Sequence, residues 1–137
     1  MKKTYAAKFD SLDELFADVD AFCAENRVDA ASAYALNLCL DEIFTNIVSY
    51  GYKNDSSQKI EVELAAGGGF AEAAVRDTAP AFNPISDAPA PDTSSDAESR
   101  DVGGLGIFFL KKSMDAVSYS RKNGVNELVM KRRLAAQ

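Results

Sequence analysis

The stretch LNLCLDEIFTNIVSYGY, residues 36–52, constrains the fold more than any other part of the chain. Leu36, Leu40, Ile43, Ile47 and Tyr50 recur at i, i+4, i+7, i+11 and i+14, the spacing of one apolar stripe on a long amphipathic helix. Glu42 and Asn46 lie four residues apart, so their side chains stack one turn apart on a face about 100° round from that stripe. The pair therefore sits at the margin of a core. There a carboxylate can take a proton and an amide oxygen can hold a hard cation such as Mg²⁺. The same spacing also suits a solvated shoulder of a surface helix.

The rest of the chain supplies layers for that helix. Thr4 to Asp10 alternates weakly and reads as a first strand. Ser11 with Glu14 has the form of a capping box, opening an amphipathic helix to about Asn26. Asp29 is placed as N-cap of the long helix, and Gly51 to close it at C′. Ile60, Val62 and Leu64 alternate with Glu61 and Glu63 as a half-exposed strand, and the run Gly67 to Gly69 turns the chain back. From about Phe70, a strand puts Ala71, Ala73, Val75 and Asp77 on one face. A carboxylate ending a core-facing row is costly unless donors meet it, so Asp77 either faces a ligand or emerges into solvent.

All four prolines fall between Ala79 and Val102, a region read as a mobile lid. It ends in Gly103, Gly104, Leu105 and Gly106, directly before the apolar helix IFFLKKSM. Glycines at a helix N-terminus suit a phosphate, because exposed amides and the positive dipole end meet it without Cβ atoms in the way; they also suit a plain turn. Val117 and Tyr119, the Asn123–Gly124 turn, then Leu128 and Met130 read as a closing hairpin to Arg133. The order β-α-α-β-β-lid-α-β-β implies an α/β two-layer sandwich, a mixed, mostly antiparallel sheet with three helices on one face. With 137 residues the chain fits one domain, 1–137.

Composition narrows the chemistry. A net charge of −6 disfavours a duplex nucleic-acid binder. The absence of histidine removes Ser-His and Cys-His nucleophile systems and any phosphohistidine relay within the chain. Cys23 and Cys39 sit in apolar helical patterns and read as buried thiols. Lack of an apolar span or of a signal-peptide start places the protein in the cytoplasm.

In this order the motifs resemble those of the small bacterial anti-sigma factor serine/threonine kinases. These belong to the superfamily of ATPases and kinases that includes gyrase, the ninety-kilodalton heat-shock chaperones and the histidine kinases. LCLDEIFTNIVSYGY resembles the family's N-box, VRDTAPAFNP its first glycine box and DVGGLGIFFLKKSMDAVSY its second. The resemblance implies a Bergerat-type ATP-binding fold, ATP and Mg²⁺ as cofactors, and homodimers that hold a sigma factor and phosphorylate an anti-anti-sigma (STAS-type) protein. It implies Glu42 as catalytic base, Asn46 as Mg²⁺ ligand and Asp77 as acceptor for the adenine amino group. Gly104 and Gly106, with Gly103 and Leu105 in the same run, would meet the phosphates, and Arg100 would reach the γ-phosphate from the lid.

The chain departs from that pattern where Ala79 and Ala81 occupy both glycine positions of the first box. A methyl there would crowd adenine or forbid a positive φ. The last hairpin also lacks the Gly-Thr pair common in the superfamily. Two alternatives to the kinase are therefore open. One is a nucleotide-independent binding module that switches partners by contact; the other is a detached histidine-kinase catalytic domain.

Overall fold

The computed structural model describes residues 1–81 and 110–135. Its elements are β1 (Lys2–Ala6), α1 (Ser11–Glu25), α2 (Ala30–Asn46), a π-helical segment (Ile47–Gly51), β2 (Lys59–Gly67), β3 (Phe70–Asp77), β4 (Ala116–Lys122) and β5 (Val125–Arg133). Residues 110–113 are also helical. The strands form one sheet in the order β1-β2-β3-β5-β4, and all four pairings are antiparallel. Among the described residues no helix is long and apolar enough to cross a membrane.

The two layers arise from alternation. Ile60, Val62 and Leu64 on β2, Ala71, Ala73 and Val75 on β3, and Leu128 and Met130 on β5 point into one buried face. Leu15, Val19 and Phe22 from α1, Leu36, Leu40, Ile43 and Phe44 from α2, and Leu110 pack into the same cluster. On the open face Arg76 ties three strands together, bonding Glu127 at 2.6 Å, Glu63 at 2.9 Å and Glu61 at 3.3 Å. Cys23 and Cys39 are free and buried, and burial pushes both thiols up, that of Cys39 to about 11.

Local signals divide into those that act as the sequence implies and those overruled. Asp29 caps α2, its Oδ2 accepting from the Ser32 amide at 3.0 Å. Asn123 and Gly124 both take positive φ, 54° and 79°, as a two-residue hairpin of mirror-image type requires. The Ser11–Glu14 capping box does not form. Ser11 is buried with its hydroxyl donating to the Ala6 carbonyl at 2.8 Å, while Glu14 reaches Lys3 at 2.6 Å. Here a bond back to β1 wins over the helix start. The first strand also stops at Ala6, before Phe9, which is 48% exposed.

The largest departure lies at the end of α2. The helix widens into a π-turn immediately after Asn46, with the Tyr52 amide bonding the Ile47 carbonyl at 2.8 Å. The wider turn rotates residues 48–51 out of the 3.6-residue stripe. Val48 is buried in place of the expected Tyr50, which stands 69% exposed. Gly51 is not left-handed; the chain leaves the helix through Lys53 and Asn54, with φ of 52° and 65°.

Candidate functional site

A cavity of about 270 Å³ opens where the π-turn, the end of β3 and the β4–β5 hairpin converge. Asn46, Tyr50 and Gly51 line it from the helical side, Asp77, Ala79 and Ala81 from β3 and the residues after it, and Tyr119 and Asn126 from the hairpin. The π-turn creates this wall by placing Tyr50 at the rim and bringing Gly51 against the chain just beyond β3. A Cβ on Gly51 would stand 3.0 Å from the Ala79 Cβ. Gly51 thus serves close approach, whereas the sequence suggested a helix stop. Gly51→Ala is expected to cost about 1–3 kcal/mol of overpacking. Thermal denaturation should show that loss, and Ala79→Gly in the same molecule should restore most of it.

Tyr52, one residue beyond the π-turn, fixes the exit from β3. Its buried hydroxyl accepts from the Thr78 amide at 2.7 Å and donates to the Lys59 carbonyl at 2.9 Å. Asp77 therefore precedes a pinned backbone. Its side chain is 8% exposed, and Oδ1 accepts from the Ala79 amide and from Asn126 Nδ2, each at 2.9 Å. Oδ2 accepts no hydrogen bond among the described residues, and it is not among the sealed, unpartnered atoms. Asp77 lines the cavity, so Oδ2 is its oxygen available to a ligand there. Burial pushes the carboxyl above the ordinary carboxylate range, while Asn126, the Ala79 amide and the Arg121 charge pull it back.

Asn126 lies directly across the ladder from Asp77. Its Nδ2 also donates to the Ala79 carbonyl at 2.9 Å, and its Oδ1 accepts from Tyr119 Oη at 2.6 Å and Arg121 Nη1 at 2.8 Å. Arg121 donates in addition to the Ala79 carbonyl at 2.9 Å. Sequence reasoning missed these three residues. The signal was present for one of them, because Asn126 shares the core-facing row of Leu128 and Met130 and is 5% exposed. That is the pattern that singled out Asp77.

The helical pair stands as its spacing implies. Asn46 Nδ2 donates to Glu42 Oε1 at 3.1 Å. A carboxylate only accepts, so the amide must turn its nitrogen toward Glu42, leaving Asn46 Oδ1 as a carbonyl oxygen able to bind a cation. Asn46 lines the cavity together with Asp77, and Glu42 is one turn behind it. No cluster of three or more His, Cys, Asp or Glu side chains capable of caging a metal occurs among the described residues. A single carboxamide oxygen nonetheless suits Mg²⁺, which keeps several waters and takes its other ligands from phosphates.

Ala79 and Ala81 both lie at negative φ, so neither methyl forces a forbidden backbone, and the Ala79 side chain is buried in the space that Gly51 leaves. Arg100, Gly103, Gly104, Leu105 and Gly106 lie outside the described residues, as does most of the expected lid at 79–102.

The model of the histidine kinase-like ATPase domain matches residues 5–132. The chain is 28% identical over 105 residues to the serine/threonine-protein kinase BtrW of Bordetella bronchiseptica, covering 77% of this chain and 73% of that protein. Among solved structures, the RsbU and RsbW domains of a Mycobacterium tuberculosis protein align over 100% of this chain and 33% of theirs, with a TM-score of 0.67 at 17% identity. The chain thus spans a third of that structure. The Acinetobacter baumannii histidine kinase AdeS aligns over 99% of this chain and 68% of its own, with a TM-score of 0.53 at 13% identity. At these identities the structural matches speak for the fold: an open antiparallel sheet with three helices.

Proposed function

The chain belongs to the histidine kinase-like ATPase domain family, and on that premise we propose that it is a Mg-ATP-dependent protein serine/threonine kinase acting as an anti-sigma factor on an anti-anti-sigma partner. The observation that carries this reading is the polarity of Asp77. One oxygen is held by two donors, the other has no donor among the described residues, and the residue lines the cavity, as an acceptor for an exocyclic amino group needs. Kinship with a serine/threonine-protein kinase supports the reaction class.

In this reading Asp77 orients the base and Asn46 Oδ1 holds the cation. Mg²⁺, when bound, neutralises phosphate charge. Glu42 takes the proton from a serine or threonine hydroxyl supplied by the partner, its carboxylate already oriented by the Asn46 amide. Phosphoryl transfer needs positioning and electrostatics, with no covalent nucleophile from the enzyme, so a chain without histidine can perform it. Residues 1–137 form one cytoplasmic domain that dimerises and alternates between a sigma factor and a STAS-type protein.

The test is transfer of labelled γ-phosphate from ATP to a purified STAS-type anti-anti-sigma protein of the same genome. Label on a serine or threonine of that protein supports the kinase. Tight complex formation with that protein, without transfer and unaffected by ATP, would replace the kinase with a contact-only switch.

A further inference from the structure

We propose that Asn126 is the residue through which the cavity distinguishes 6-amino from 6-keto purines, acting as a positioning residue on Asp77. The proposal rests on the nucleotide-site reading and deepens it.

Three of the four contacts of Asn126 fix which way its amide points, and the Tyr119 hydroxyl follows them. Asp77 Oδ1 and the Ala79 carbonyl are acceptors and meet Nδ2; Tyr119 Oη and Arg121 Nη1 are donors and meet Oδ1. Turning the amide over would set donor against donor and acceptor against acceptor in a buried place, at the cost of several hydrogen bonds. The network is therefore directional. Asn126 presents a fixed donor to Asp77 Oδ1, the Ala79 amide presents a second, and Oδ2 is left available to a ligand in the cavity.

An oxygen held this way is an acceptor only. A 6-amino purine offers it an N–H; a 6-keto purine would bring a second acceptor against it, and a site built for a donor rejects such an analogue strongly. Without Asn126 the carboxylate loses one of the two donors holding Oδ1 and the largest of the influences that keep it ionised against its burial. A carboxyl group free to turn, or to carry a proton and donate it, no longer refuses a keto oxygen. Discrimination thus passes from Tyr119 and Arg121 through Asn126 to Asp77, which would meet the 6-substituent.

The experiment is competitive titration of the full chain with ATP and with inosine triphosphate, which differ at the 6-position. Wild type should prefer ATP by about a hundredfold or more. In Asn126→Leu that ratio should fall at least about tenfold, as ATP binding weakens and the keto oxygen is no longer refused. Arg121→Met keeps both Asn126 and Asp77 while removing one donor from the amide, and should lower the ratio by a smaller factor. It decides the question if Asn126→Leu does not fold. A structural role alone would weaken both nucleotides alike and leave the ratio where it was. An unchanged ratio in the folded variants, or no preference in wild type that binds ATP, overturns this inference and leaves the nucleotide site standing. Wild type that binds neither nucleotide removes the site and the inference together.

Discussion

Asp77→Asn should abolish high-affinity nucleotide binding while leaving the fold intact. The two donors on Oδ1, Asn126 Nδ2 and the Ala79 amide, will hold the oxygen of the new amide. Its NH₂ must then turn into the cavity, where the amino group of adenine would meet it donor to donor. Two buried donors left unpaired cost about 2–3 kcal/mol, or roughly 30- to 150-fold in affinity. Calorimetry on the folded variant reads this directly, and wild-type affinity would deny Asp77 contact with the base.

The same carboxylate sets a pH dependence. Burial raises its pKa in the folded protein, so in the free protein the stability it contributes is present at acid pH and lost as pH rises through that raised value. Nucleotide binding runs the other way. It needs the ionised acceptor and should weaken as pH falls through a window above that of an ordinary carboxylate.

Replacing Glu42 should separate chemistry from binding. A general base contributes about 10²–10⁴-fold, so Glu42→Ala should reduce phosphoryl transfer by at least about a hundredfold while ATP affinity changes little. Glu42→Gln is the cleaner form of the test, since its amide oxygen can still accept from Asn46 Nδ2 but cannot take a proton. Transfer rates and ATP affinity measured on the same preparations decide it. Equal loss of both would assign Glu42 to positioning the Asn46 amide, with the proton taken elsewhere.

The parts of this protein that could be read from its sequence are those fixed by short-range periodicity. Alternation placed Ala71, Ala73, Val75 and Asp77 on one buried face, the Asn123–Gly124 turn set the last hairpin, and four-residue spacing stacked Glu42 on Asn46. What periodicity could not show was its own interruption. The π-turn after Asn46 breaks the 3.6-residue repeat, so the stripe extrapolates one turn too far, to an exposed Tyr50, and Gly51 has the place of a helix stop but makes room for Ala79. The capping signal at Ser11 lost to a contact with β1, five residues back in sequence. The network around Asp77 was hidden for a related reason. Tyr119, Arg121 and Asn126 meet it only through sheet pairing across more than forty residues, although a polar residue in the Leu128–Met130 row was a visible hint.

The substitution of both glycines of the first box looked like the strongest argument against a nucleotide. The geometry weakens it, because Ala79 and Ala81 need no left-handed backbone and the Ala79 methyl packs where Gly51 carries no Cβ.

Whether the cavity holds a nucleotide at all is settled by calorimetric titration of the wild-type chain with ATP and ADP, with and without Mg²⁺. The expected result is saturable binding of one nucleotide per chain, tightened for ATP by Mg²⁺ through Asn46. No heat of binding at nucleotide concentrations of about 1 mM, where even an affinity of about 4 kcal/mol would register, would contradict it.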